Sequence, residues 1–455
     1  KKDFSQHKNF EKNFLDGTCP FVTKIHKIAN ENYLLTIDGV QFGNVITAQD
    51  ENTPVELLNE NFTAGLHTIK IKRLGNGTDS VDGIETLVTF TQLEAEIVSI
   101  NKSIAAVEKS EINQNANITL EISGGALVNP IVVSSESYEF NTTVSGSDFL
   151  QAGNYSIVAY VNGDGSSTFA YRGTAGGKNP VAWEETNFTV LAAPQITIGN
   201  NGISWTTENA QRYNVQVENV NESKFEVNSE NVNIASVDMS SYNAGKYYVK
   251  VRANGHNEGG NYVSSQISSV EIVKHAQVEA RIEDYKLKIT TTENEKYLVN
   301  FTINDNNTYT ETLTASSNEI EIDLSGYNFK SGAHNISITQ LGNADDKTIN
   351  GKAKVVSFTQ LEAAVVVISN SIASVSKSAT NKDATIKLQI SGGTLTNVID
   401  INNATYMFNT TNKSGENFLG AGGYSIVAFV VGDGSSTFSY RDVNSVNKKQ
   451  ALACG

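Results

Sequence analysis

The 455-residue chain has only two cysteines, Cys19 and Cys454, near opposite ends. That excludes a small disulfide-stapled framework, and a bridge between them would require the chain to fold back on itself. There is no run of about 18 apolar residues, so no segment reads as a membrane-spanning helix. Positive charge is short: 34 Lys and Arg against 49 Asp and Glu leave a net charge of −15. This argues against nucleic acid and against an anionic membrane surface as partners. Arginine occurs only at Arg73, Arg172, Arg212, Arg252, Arg281 and Arg441, a bias that suggests an AT-rich genome and concerns origin alone. The six histidines show no zinc-ligand spacing, and neither a nucleophile elbow nor a phosphate-cradling glycine loop occurs. The expectation is therefore no catalysis, no cofactor and no metal centre. Apolar residues are 39% of the chain, low for one large core. At roughly 100 residues per sandwich, the length fits four or five thin modules, each with its own core.

What is present is a repeat. A small residue and a glycine are followed two positions on by an aromatic or histidine, then by alternating apolar residues, then by a second glycine. The five copies begin at Ala64-Gly65-Leu66-His67, Ala152-Gly153-Asn154-Tyr155, Ala244-Gly245-Lys246-Tyr247, Ser331-Gly332-Ala333-His334 and Ala421-Gly422-Gly423-Tyr424. The trailing glycines are Gly75, Gly163, Gly255, Gly342 and Gly432. Alternation at period two is a half-buried strand. The leading glycine suits a tight turn into that strand, and the trailing one opens the hairpin to the final strand. The aromatic stands at the corner where a sandwich places a tyrosine corner, which makes a structural role the expectation for His67 and His334.

These residues carry a resemblance. Asn243-Ala244-Gly245-Lys246-Tyr247-Tyr248-Val249-Lys250-Val251-Arg252-Ala253 resembles strand F of a fibronectin type III module. Ile203-Ser204-Trp205 resembles its second strand with the core tryptophan, and Tyr213-Asn214-Val215-Gln216-Val217 its strand C. The other modules have no tryptophan at this place, so fibronectin type III-like and immunoglobulin-like readings both stay open for them. The resemblance implies an all-β fold: an extended array of about five antiparallel β-sandwich modules. The boundaries read as a polar N-terminal arm 1–18, module A 19–93, module B 94–192, module C 193–275, module A′ 276–361 and module B′ 362–455. Recurring joint tripeptides set them: Leu93-Glu94-Ala95, Leu191-Ala192-Ala193, Lys274-His275-Ala276 and Leu361-Glu362-Ala363. No Gly/Ser-rich or Pro-rich linker separates the modules, which favours a stiff array.

Modules B and B′ are near copies. Phe90-Thr91-Gln92-Leu93-Glu94-Ala95 recurs at Phe358–Ala363, and Gly163-Asp164-Gly165-Ser166-Ser167-Thr168-Phe169 recurs at Gly432–Phe438. The order is A-B-C-A′-B′. Module B closes with Trp183–Val190. Module B′ ends in Ser445–Ala453 without an evident closing strand. A poorer strand, a continuing chain or another chain would each complete it.

The repeated Gly-Asp-Gly-Ser-Ser turn reads either as a recognition loop or as recent duplication. Asp164, Tyr171, Arg172, Asp433, Tyr440 and Arg441 are the candidate partner-binding residues, because an exposed Tyr-Arg pair suits a glycan or protein. Asn162-Gly163-Asp164 and Asn343-Ala344-Asp345-Asp346 offer oxygen ligands of the kind calcium takes, but neither follows an EF-hand pattern and both read as polar hairpin turns. Frequent Asn-X-Ser/Thr sequons, Asn61, Asn141 and Asn300 among them, become glycan acceptors where the host glycosylates secreted proteins. Partners are expected to be protein or glycan, copies of the chain included. Three functions fit: an extracellular structural rod, an adhesin, or a non-catalytic accessory region of a larger secreted enzyme.

Overall fold

The computed structural model describes residues 22–24, 29–49, 54–57, 62–164, 167–169 and 185–439. The arm 1–18, both cysteines and the end of module B′ beyond residue 439 lie outside the described residues.

Module C shows how alternation becomes a sandwich. In the strand Gly245–Ala253, Tyr247, Val249, Val251 and Ala253 are buried while the residues between them reach toward solvent. This strand pairs antiparallel with Tyr213–Asn219 on one side and with the closing strand Ile267–Lys274 on the other. Lys224–Val232 completes a four-stranded sheet. A three-stranded sheet of Gln195–Gly199, Gly202–Thr206 and Ser236–Asp238 covers its inner face. Trp205, from the small sheet, is 1% exposed and fills the space between the layers. Three strands on four is the fibronectin type III-like arrangement.

Modules B and A′ repeat it. In B, Val98–Asn101, Ile104–Val107 and Ser137–Glu139 face a sheet ordered Ile131–Val133, Asn117–Gly124, Gly153–Asn162 and Glu185–Val190. In A′, Ala280–Glu283, Lys286–Thr290 and Glu319–Asp323 face Asn307–Thr314, Lys296–Asn304, Gly332–Gln340 and Lys354–Gln360. In module A, Asn32–Ile37, Gly65–Leu74 and Thr86–Gln92 form the main sheet, beside the pair Val22–Lys24 and Pro54–Glu56. In B′, Val365–Ser369, Ile372–Ser376 and Thr405–Met407 face Ile399–Ile401, Thr385–Gly392 and Tyr424–Val431. The chain is a tandem array of fibronectin type III-like or immunoglobulin-like β-sandwiches, each built round its own cluster of buried side chains.

The corner residue does the same work in all five. The hydroxyls of Tyr155, Tyr247 and Tyr424 donate to the carbonyls of Gln151, Asn243 and Gly420, four residues back, at 2.9, 2.8 and 3.0 Å. In modules A and A′ a histidine Nε2 takes the place of the hydroxyl: His67 lies 2.6 Å from the Thr63 carbonyl and His334 2.6 Å from that of Lys330. Both rings stack on a phenylalanine of the closing strand, Phe90 and Phe358. A polar tip bonded to the carbonyl four residues upstream fixes the chain's entry into the strand, whichever ring carries it.

Tyr247→Phe keeps the buried ring and leaves the Asn243 carbonyl without its donor. It should destabilise module C by about 1–3 kcal/mol in denaturant unfolding followed by Trp205 fluorescence. An unchanged midpoint would mean the corner bond contributes nothing.

Candidate functional site: the joints between sandwiches

The chemistry-poor surface directs attention to where modules meet. After each trailing glycine the hairpin runs on for six to eight residues to an apolar side chain: Phe169, Val263, Ile349 and Phe438. Each of these residues pairs in parallel with the end of the preceding module's closing strand. The registers are Phe169 with Gln92, Val263 with Val190, Ile349 with Lys274, and Phe438 with Gln360. The same two backbone bonds recur at every joint. Thr91, Thr189, Val273 and Thr359 donate N–H to Ser167, Asn261, Lys347 and Ser436 at 2.8–2.9 Å. Leu93, Leu191, His275 and Leu361 donate to Phe169, Val263, Ile349 and Phe438 at 2.9–3.2 Å.

The paired side chain enters its neighbour's core. Phe169 of module B is 5% exposed and packs with Leu35, Ile69 and Phe90 of module A. Val263 of C lies in the core of B, Ile349 of A′ in that of C, and Phe438 of B′ in that of A′. Phe438 stacks on Phe358 at 4.0 Å. The exchange is reciprocal: Leu93, Leu191 and Leu361, the residues just after three closing strands, belong to the core of the following module. A two-residue ladder thus clamps each sandwich to the next.

The hairpin is shaped for this by its own turn. In B′, Asp433 Oδ1 accepts the N–H groups of Ser435, Ser436 and Thr437 at 2.8–2.9 Å. Its Oδ2 takes the Ser436 hydroxyl at 2.5 Å. Burial pushes the Asp433 carboxyl up, but these hydroxyl and backbone donors outweigh it and hold the group at about 2. Asp164 makes the same bonds to Ser167 and Thr168. The trailing glycine is needed here for close approach: a Cβ on Gly432 would lie 2.3 Å from the Thr437 carbonyl oxygen. That replaces the looser role of merely opening the hairpin.

Further contacts brace individual joints. Asn113 and Asn381, both fully buried, hold the peptides that lead out of modules A and A′. Each amide donates at 2.9 Å to the carbonyl of Glu94 or Glu362 and accepts that residue's N–H. Between B and C, Arg252 Nε donates to the Ser265 carbonyl and Nη2 to the buried Thr142 hydroxyl, both at 2.9 Å. Between C and A′, Lys274 Nζ donates to the Asn350 carbonyl at 2.9 Å.

Of the candidate partner-binding residues, Asp164 and Asp433 sit in these hairpins as turn braces. Tyr171, Arg172, Tyr440 and Arg441 lie outside the described residues. The Asn343–Asp346 turn belongs to the A′ hairpin, where the Asn343 amide donates to Asp346 at 2.6 Å. Among the described residues no group of three or more His, Cys, Asp or Glu is placed to hold a metal, and no helix is long and apolar enough to cross a membrane. His275, not Lys274, occupies the place of Leu93, because its N–H reaches Ile349 as that of Leu93 reaches Phe169. The residues that sequence reasoning missed are the four apolar plugs. Their signal was a single large apolar side chain in an otherwise polar hairpin, at a near-constant distance from the trailing glycine.

No protein-family model and no curated protein matches the chain. Similar solved structures include the FN1-FN3 domains of chicken CNTN1, 13% identical over 55% of this chain and 96% of that one, with a TM-score of 0.17. A tetra-tandem repeat in the extending region of a large adhesion protein is 14% identical over 75% and 96%, with a TM-score of 0.17. The chicken interferon gamma receptor alpha chain is 15% identical over 37% and 97%, with a TM-score of 0.16. At these values the likeness carries no argument about function.

Asp433 lies below the ordinary carboxylate value of 3.8 in the folded chain. Its contribution is therefore complete above about pH 4 and is lost as pH falls toward 2. Asn76 makes the same three N–H contacts in module A, so Asp433→Asn should keep the turn and remove the acid sensitivity. Amide NMR signals of Thr359 and Leu361 should shift between pH 4 and 2 in the native chain and stay put in the variant. Equal shifts in both would refute this role.

Proposed function

We propose that the chain is an extracellular structural rod, a part of a cell-surface stalk, filament or surface-layer component. The observation that carries this reading is the joint: four hairpins of three different sequences make one register and one pair of backbone bonds. A joint that threads a side chain into its neighbour's core resists bending and twisting, which is what a spacer needs. No flexible linker intervenes, and the net charge of −15 favours solubility. Extracellular placement follows the common use of tandem sandwiches at cell surfaces. The reading assigns no reaction to the chain. An adhesin using these hairpins is the weaker alternative, because the hairpins of B, C, A′ and B′ are each committed to the preceding module. Protein or glycan partners, copies of the chain included, would then meet the sandwich faces or the ends of the array.

At roughly 3.3 Å per strand residue a sandwich measures about 30–35 Å, so five in line should span about 150–175 Å. Negative-stain electron microscopy of the full chain should show particles of that length with a narrow spread of angles at each joint. Compact globules, or freely bent strings, would overturn the rod.

A further inference from the structure

Module A carries the same hairpin, with no strand paired to it among the described residues. Gly75-Asn76-Gly77-Thr78-Asp79-Ser80-Val81 aligns residue for residue with Gly432-Asp433-Gly434-Ser435-Ser436-Thr437-Phe438. The bonds align too. Asn76 Oδ1 accepts the N–H groups of Thr78, Asp79 and Ser80 at 2.8–3.0 Å. The Asn76 N–H donates to the Ser80 hydroxyl at 3.0 Å, as that of Asp433 donates to Thr437. The Gly75 N–H donates to Asp82 at 3.0 Å, and the Gly342 and Gly432 N–H groups find Asn350 and Ser439 at the same place. A Cβ on Gly75 would lie 2.4 Å from the Ser80 carbonyl oxygen, the close approach found at Gly432. The turn is thus held in its clamping shape without a neighbour. Val81 stands where Phe169, Val263, Ile349 and Phe438 are buried, yet it is 89% exposed. Among the described residues no strand pairs with it.

We propose that the hairpin Gly75–Val81 is a fifth clamp, and that its partner is the closing strand of a further sandwich of the module C type. The four described closing strands that reach a joint already hold a clamp, so those of a second copy have no free edge to offer. Module A corresponds to A′, and the clamp of A′ takes the closing strand of C. A main-chain acceptor is in place as well. The C strand ends in Lys274, whose ammonium donates to the Asn350 carbonyl in the existing joint. Module A has the Asp82 carbonyl at that position, next to Val81, while the Asp82 carboxylate accepts the Gly75 N–H and is paired with Lys72 at 2.7 Å. The partner strand would donate N–H to the carbonyls of Asp79 and Val81, as Val273 and His275 donate to Lys347 and Ile349. This inference rests on joint geometry and stands whether or not the array is a rod.

The existing joint between C and A′ provides the test. In the full chain, residues Gly342–Ile349 are replaced by the sequence of Gly75–Val81, and amide hydrogen exchange is read at Val273 and His275. Ile349→Asp serves as the broken joint, in which both amides should exchange about 100-fold faster. The grafted hairpin should keep them within about threefold of the native rate. Exchange as fast as in Ile349→Asp would overturn the proposal. A second variant, Val81→Asp in the otherwise native chain, should leave exchange at Leu35 and Ile69 unchanged. Faster exchange there would assign Val81 to module A's own packing and would equally overturn the proposal.

Discussion

The two-residue parallel ladder at each joint is the interaction on which the array depends. Its backbone bonds set the register, and the apolar side chain between them provides most of the gain. Burying a phenylalanine, valine or isoleucine contributes about 1.5–3 kcal/mol. The leucine that crosses the other way adds a similar amount at three of the four joints. Adjacent sandwiches consequently share core residues while keeping separate cores. Bending a joint withdraws a plug and opens a cavity, so stiffness follows from packing and not from any stiff linker.

This constraint accounts for the two strongest repeats in the sequence, which lie far apart in the chain. Phe-Thr-Gln-Leu-Glu-Ala recurs in A and A′, and Gly-Asp-Gly-Ser-Ser-Thr-Phe recurs in B and B′. They are the two halves of one joint. Thr91 pairs with Thr168 and Gln92 with Phe169; Thr359 pairs with Thr437 and Gln360 with Phe438. A duplicated clamp therefore meets a duplicated strand. The joints between B and C and between C and A′ use other side chains, Arg252 with Thr142 and Lys274 with Asn350, around an identical backbone ladder. Backbone geometry is the common element, and side chains adapt each joint to its pair of modules.

The sandwiches were legible because period-two alternation and a corner aromatic are local signals. Tyr247 with Val249 and Val251, and Trp205 after Ile203, announce buried faces within a few residues. His67 and His334 were placed correctly for the same reason, since a bond to the residue four back is local. The joints were not legible. Phe169 meets Gln92 across 77 positions, and a two-residue parallel pairing has no periodicity to display. The hairpin has the composition of a polar surface turn, which does not reveal that the carboxylates of Asp164 and Asp433 brace it against the neighbouring module. At the third joint Lys274 is a lysine in a buried place. Its stem is covered by the A′ clamp and its ammonium is satisfied by a carbonyl, an environment no local pattern reveals.

The central claim is that each clamp residue stabilises the module before its own. Phe169→Ala tests it most directly, because Phe169 is carried by module B and packed in module A. Native-state hydrogen exchange should show the amides of Asn32–Ile37 and Gly65–Leu74 loosened by about 3 kcal/mol. Those of Asn117–Gly124 and Gly153–Asn162 in module B should keep their protection. Loosening confined to module B, with module A unchanged, would contradict the account.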